Sequence, residues 1–403
     1  MASSWLNFLT ILVVMLFGFV SKNNYVRNKL ANWIEVYILQ SNRLNNALIP
    51  KSLTTDIEKK QYLALCMLKK YEEKTLQVNH IFRKRILNEL SKHHQKQTTS
   101  IKQLDKFNQI DCAIIENNGK SVNTLIESFI ETKNFPITID DINKNNTSVA
   151  PLSLTKETLT HLVRDYNSMY YNAETLPIVD YILQTISKNV KNINDGNTDI
   201  LLPGSGLGRV SYEVAKNFPH VNVTSVEYSD LMYIGNQLLY SCNKNIKISP
   251  WVIEYSNHLS VKDQLKSFNI NCQDFEHPKN LNIELGDFRK FKINNNGNGK
   301  KKQLILITVF FMDTAENILE YLDTIESYKR DYETVHWINI GPLKYGTRPK
   351  VVLTVEEFTE LRAARGWKDI QCSCSPKEEI GYITNNDGLY KGRYSLLKFH
   401  SIL

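Results

Sequence analysis

Ile200-Leu201-Leu202-Pro203-Gly204-Ser205-Gly206-Leu207-Gly208-Arg209 is the stretch on which the fold turns. An apolar run too short for a helix reads as a buried strand, and the glycines that end it let the backbone turn sharply, take positive φ and approach a ligand closely. A helical pattern resumes at once, from about Arg209 to Asn217. Strand, glycine loop and helix in that order open a Rossmann-type unit. Taken alone, the G-x-G-x-G of Gly204, Gly206 and Gly208 is equally well a tight turn.

Working outward, helical patterns precede the motif near Glu157 to Tyr170 and Leu176 to Asn189, and strands follow at Val221 to Val226, Asn282 to Leu285, Leu304 to Phe310 and Val335 to Ile340. Strands alternating with helices imply an α/β fold with a mostly parallel sheet, whose ligands sit beyond the carboxyl ends of the strands. Those ends carry the chemistry. Glu227 ends the second strand, where an acid accepts hydrogen bonds from the ribose hydroxyls of an adenosine. Gly286-Asp287-Phe288 ends the third, with a carboxylate for an adenine amino group and a ring to lie beside the base. Phe310-Phe311-Met312-Asp313-Thr314-Ala315-Glu316-Asn317 ends the fourth, with aromatic faces suited to a cation such as a sulfonium. That favours S-adenosylmethionine over a nicotinamide dinucleotide. Simpler readings stand beside these: Asp313 as a helix N-cap, because Asp-x-x-Glu opens a helical pattern; Arg164 as one half of a salt bridge; Trp251 and Trp337 as core.

With these blocks in order, the chain resembles the carnosine N-methyltransferase family over roughly Leu159 to Tyr394. Arg164-Asp165-Tyr166, Pro203 to Arg209, Val226-Glu227-Tyr228-Ser229, Pro250-Trp251 with Tyr255-Ser256-Asn257, Gly286-Asp287-Phe288, Phe310 to Asn317, Tyr321 to Ile325 and Trp337 to Leu343 each resemble a family block. The resemblance implies a Rossmann-like class I methyltransferase fold with S-adenosylmethionine as cofactor. The implied acceptor is the imidazole of a histidine-containing dipeptide such as carnosine. It also implies that Arg164, Gly204, Gly206, Gly208, Glu227, Asp287, Phe288 and Val309 meet the cofactor, with His161 where the family has a glutamine. Asp313, as the catalytic residue, would hold the acceptor ring, with Tyr394 in the substrate pocket just before the final strand. Gly346, in Leu343-Lys344-Tyr345-Gly346, departs from the family's Leu-Leu-Tyr-His and removes a pocket histidine. Two other functions therefore stay open: methylation of a histidine within a protein, and a non-catalytic protein that binds S-adenosylmethionine and a partner.

The remaining features bound these readings. The net charge of +7 over 403 residues is scattered without a continuous basic stripe, which argues against a nucleic-acid partner. Six cysteines are too dispersed for a disulfide framework and the nine histidines show no metal spacing, so no metal is expected. Trp5 to Val20 is nearly continuous apolar sequence followed by Lys22, Arg27 and Lys29. It reads either as a membrane tether that leaves a cytoplasmic catalytic domain or as an apolar helix packed on the body. The expected organisation is an apolar segment over 1–30, a helical region over 31–150, with long helices from Thr55 to about Leu90, and a methyltransferase domain over 151–403. Ser249 to Asn280 reads as an insertion and Asn294 to Lys302 as a surface loop. Entry to the nucleus and a homodimer are both compatible with this sequence.

Overall fold

Thr198–Pro203 is buried along its whole length and forms β1, an interior strand of a seven-stranded sheet. The structure is a computed structural model that describes residues 49–145, 151–293, 301–346 and 348–403. The other strands are β2 Asn222–Glu227, β5 Leu281–Leu285, β6 Lys301–Val309, β7 Tyr332–Gly341, β8 Lys368–Gly381 and β9 Arg393–Ile402, in the spatial order β5-β2-β1-β6-β7-β9-β8. β5, β2, β1, β6 and β7 are parallel, whereas β9 runs antiparallel between β7 and β8. The order reverses at β1, which has β2 on one side and β6 on the other. That switch point opens a crevice at the strands' carboxyl ends.

Both faces are covered because the sequence alternates about β1. Ile200 and Leu202 point one way, with Ile305, Ile307 and Ile338, onto Ile178, Ile182 and Ile186 of the helix Leu176–Asn189. Leu201 points the other way, with Leu304, Leu306 and Trp337, onto Ile318, Leu322 and Ile325 of the helix Ile318–Ser327. Trp337 is fully buried and donates from Nε1 to Thr308 Oγ1 at 2.8 Å, the core role expected of it; Trp251 is core as well.

Among the described residues the first helix of the helical region opens at Thr55, whose hydroxyl accepts Glu58 N–H while a Glu58 carboxylate oxygen accepts the Thr55 N–H, a capping box at the start of Asp56–Lys69. This helix and Lys120–Lys133 pack on Asp230–Ser241, so that Leu65, Val122, Leu125 and Phe129 share one core with Leu159, Leu162, Ile234 and Leu238. The helical region is therefore joined by apolar packing to the helices Leu152–Tyr166 and Asp230–Ser241. The segment Trp5 to Val20 lies outside the described residues, within which no helix is long and apolar enough to cross a membrane.

Several expected boundaries shift. The helix around Arg164 spans Leu152–Tyr166 and stops at Asn167, which turns to extended geometry and caps the next turn by accepting Met169 N–H. Lys301 and Lys302 belong to β6, not to the preceding loop, because the Lys301 ammonium pairs with buried Asp199 at 2.7 Å beside β1. The Ser249 to Asn280 insertion contributes a strand, β4 Phe268–Asn271, which pairs antiparallel with β3 Asn245–Ile248.

Two buried histidines bridge the sheet: His336 Nδ1 on β7 lies 3.1 Å from His400 Nε2 on β9. Burial holds both rings well below the usual imidazole range, at about 4. The unfolded chain therefore binds more protons below about pH 6.5, and stability falls as pH drops from there to about 4. Both rings are expected to keep neutral-state C2–H chemical shifts down to about pH 5 in proton NMR; titration near 6.5 would contradict this.

Candidate active site

The loop after β1 is set by main-chain bonds. Gly204 N–H donates to Val226 O at 2.8 Å, which lifts the turn between the ends of β1 and β2. Gly204 and Gly206 take φ of +63° and +56°, conformations that side chains resist. Glu227, at the end of β2, accepts Gly206 N–H at Oε2 and Ser229 N–H at Oε1, both at 2.7 Å. Burial raises its pKa while these amides oppose the rise. Gly208 faces away: it packs against Asn236 and opens the helix Arg209–Asn217, lining neither cavity described next.

Two cavities adjoin at the switch point. A narrow one of about 90 Å³ lies among His161, Arg164, Gly206, Val309, Phe310 and Tyr382. A broad one of about 630 Å³ lies among Glu227, Asp287, Phe288, Phe311 and Tyr321. Gly204 and Phe310 line both. Phe310 holds this junction at φ +49°, strained for a non-glycine residue, with its N–H on Ile340 O at 2.9 Å and its ring 4.7 Å from that of Tyr382.

Arg164 and Arg209 are buried cations that both line the narrow cavity. Arg164 Nη1 donates to Asp165 Oδ1 at 3.0 Å, its Nε stands 3.4 Å from Glu174 Oε2, and its guanidinium lies 4.6 Å over the Tyr382 ring. The ion pairing expected of it is present but incomplete, since Nη2 is buried with no hydrogen-bond partner among the described residues. A buried, unsatisfied donor is costly, and an anionic group in the cavity would relieve it. Glu174 sits on the π-helical turn Tyr171–Thr175 and accepts Ile383 N–H at 2.7 Å and Thr384 N–H at 2.9 Å. This clamps the segment after β8 that delivers Tyr382. The Tyr382 hydroxyl lies 3.3 Å from His161 Nε2, and burial, reinforced by Arg164, drops that imidazole to about 3, so His161 is neutral.

On the broad side, Phe311 stacks on Tyr321 at 4.5 Å and meets Phe288 edge-on at 5.6 Å. Asp287 is gripped by Arg289, with Nε on Oδ1 at 3.0 Å and Nη2 on Oδ2 at 2.8 Å, which holds its carboxyl below the usual range. Beyond Phe310, Asp313 Oδ2 accepts Lys344 N–H at 3.0 Å, and Lys344 Nζ donates to the Tyr394 hydroxyl at 3.0 Å. Tyr394 in turn sets its ring 6.0 Å from Phe310. Asp313 is not a helix cap: Asn317 accepts Leu319 N–H and opens Ile318–Ser327 in its place. Burial raises the Asp313 carboxyl. Tyr394 stands inside β9, not before it, and Gly346 is exposed, with no atom of the described residues beyond its chain neighbours within 4 Å of where a β-carbon would stand.

The sequence profile of carnosine N-methyltransferase matches residues 142–403. The chain belongs to the carnosine N-methyltransferase family. It is 39% identical over 255 residues to an uncharacterized protein of Saccharomyces cerevisiae, covering 62% of this chain and 55% of that protein. It is 26% identical over 272 residues to a carnosine N-methyltransferase of Schizosaccharomyces pombe, covering 61% and 71%. The match to a carnosine N-methyltransferase of Mus musculus is 29% over 199 residues, 47% of each chain. The chain thus spans about half to seven-tenths of the length of these relatives. A methyltransferase of Aquifex aeolicus described as S-adenosylmethionine-dependent aligns over 61% of this chain and 97% of its own, with 11% identity and a TM-score of 0.36.

As a member of the carnosine N-methyltransferase family, the chain uses S-adenosylmethionine, and the two cavities fit its two ends. Arg164, with Nη2 unpaired among the described residues, would hold the methionine carboxylate. Glu227, anchored by two amides, keeps lone pairs for the ribose hydroxyls, while Phe288 and Asp287 would border the adenine. The sequence reading missed Tyr382, Glu174, Arg289 and Lys344. Tyr382 follows the mostly exposed edge strand β8 and Glu174 sits on a π-turn, neither marked by an apolar run; Arg289, two residues from Asp287, was legible as a pairing partner.

Proposed function

We propose that this chain transfers a methyl group from S-adenosylmethionine to an imidazole nitrogen of a histidine-containing dipeptide such as carnosine. The observation that supports it most is Asp313: a buried carboxylate beyond the Phe310 junction, with one oxygen fixed by Lys344 N–H and the other taking no hydrogen bond from another residue among the described ones. When bound, the cofactor supplies an electrophilic methyl on a sulfonium that leaves as a neutral thioether. Asp313 accepts the acceptor ring's N–H through its open oxygen, so the other nitrogen presents its lone pair. As the new N–CH₃ bond forms, that carboxylate faces the imidazolium and can take its N–H proton. Arg164 and Glu227 hold the donor while Phe310, Phe311 and Tyr382 exclude water and set the line of attack.

Purified chain incubated with carnosine and methyl-labelled cofactor is expected to yield labelled methylcarnosine. No transfer to any imidazole, with cofactor binding intact, would overturn the proposal. Gly346, exposed and unobstructed among the described residues, supports a second reading, a histidine within a protein, which predicts label on a polypeptide instead.

A further inference from the structure

Leu343 and Tyr345 pack into the apolar cluster beneath the sheet, which leaves Lys344 between them pointing outward and exposed. Its main chain and side chain then serve two places. The N–H is bound to Asp313 Oδ2 at 3.0 Å, while the ammonium lies 5.2 Å over the Tyr394 ring and donates to its hydroxyl at 3.0 Å. An ammonium has three donors, so the tyrosine fixes its position and leaves two free to bind. No carboxylate among the described residues pairs with it. A cation held one lysine side chain from a carboxylate matches a free histidine residue, whose ring and α-carboxylate are separated by only two carbons.

We propose that the Lys344 ammonium binds the carboxylate of the methyl acceptor, so that the acceptor is a histidine derivative that keeps its own carboxylate close to the ring. This rests on the imidazole-methylation reading above. It selects carnosine-like molecules over a histidine inside a polypeptide, where the carboxylate has become a neutral amide. A charge-assisted hydrogen bond at an exposed position corresponds to about a tenfold preference, and salt weakens it.

The test compares carnosine with its C-terminal amide, using the full chain. The amide is expected to show a KM about tenfold higher, with kcat within about twofold, and the difference should shrink as ionic strength rises. Lys344→Met should bring the two KM values together by weakening carnosine alone, and Lys344→Arg should restore the preference. Equal use of carnosine and amide by the unaltered chain, or a preference that survives Lys344→Met, overturns the lysine's role and leaves imidazole methylation standing. Transfer to neither overturns both.

Discussion

Asp313→Asn should lower methyl transfer by about a thousandfold while S-adenosylmethionine affinity stays within about twofold. The substitution is isosteric, and the asparagine carbonyl can still accept Lys344 N–H, so the turn that carries residue 313 has no reason to move. What disappears is the charge and, on the open side, an acceptor replaced by an NH₂ donor. An acceptor ring meeting that donor would bind through the lone pair needed for attack, in the unproductive tautomer. Asp313 lines neither cofactor cavity, which is why the loss should fall on transfer. Calorimetry with the cofactor beside a single-turnover assay separates the two quantities, and parallel losses would show Asp313 to be a support of the cofactor site.

The sequence made the parallel half of the fold legible because β1, β6 and β7 carry apolar runs, β2 and β5 carry shorter mixed segments, all are ended by turn or site residues, and the glycine loop follows β1 directly. β8 escaped it for a physical reason. Its fourteen residues, Lys368–Gly381, are mostly exposed and carry charge at Lys368, Asp369, Lys377, Glu378 and Glu379, as suits the edge of a sheet. The edge strand nevertheless delivers Tyr382. Glu174 was hidden in the same way, since Tyr171–Thr175 has π-helical spacing and its carboxylate finds Ile383 and Thr384 N–H more than two hundred positions on. Chemistry placed directly after a strand can be read locally; walls brought from the far edge depend on closure of the sheet.

Gly204→Ala separates a ligand-shaped backbone from a merely tight turn, and it should weaken S-adenosylmethionine binding about a hundredfold, ~2.7 kcal/mol. Part of the cost is the φ of +63°, worth ~1 to 2 kcal/mol for a residue with a Cβ. The rest is steric. The new methyl would overlap the Phe311 ring, which cannot simply swing aside because it is stacked on Tyr321 and edged by Phe288. Relief therefore requires disturbing the aromatic wall of the broad cavity or lifting the loop toward the narrow one, and either closes the junction that Gly204 shares with Phe310. Gly206→Ala is the control: its φ is also positive, at +56°, but among the described residues no atom beyond its chain neighbours lies within 4 Å of the added methyl, so within the protein only the strain is added. The control should lose about tenfold in cofactor affinity. Equal losses at the two positions would mean that strain alone governs the loop. Near-normal binding by Gly204→Ala would place the cofactor elsewhere than the junction of the two cavities.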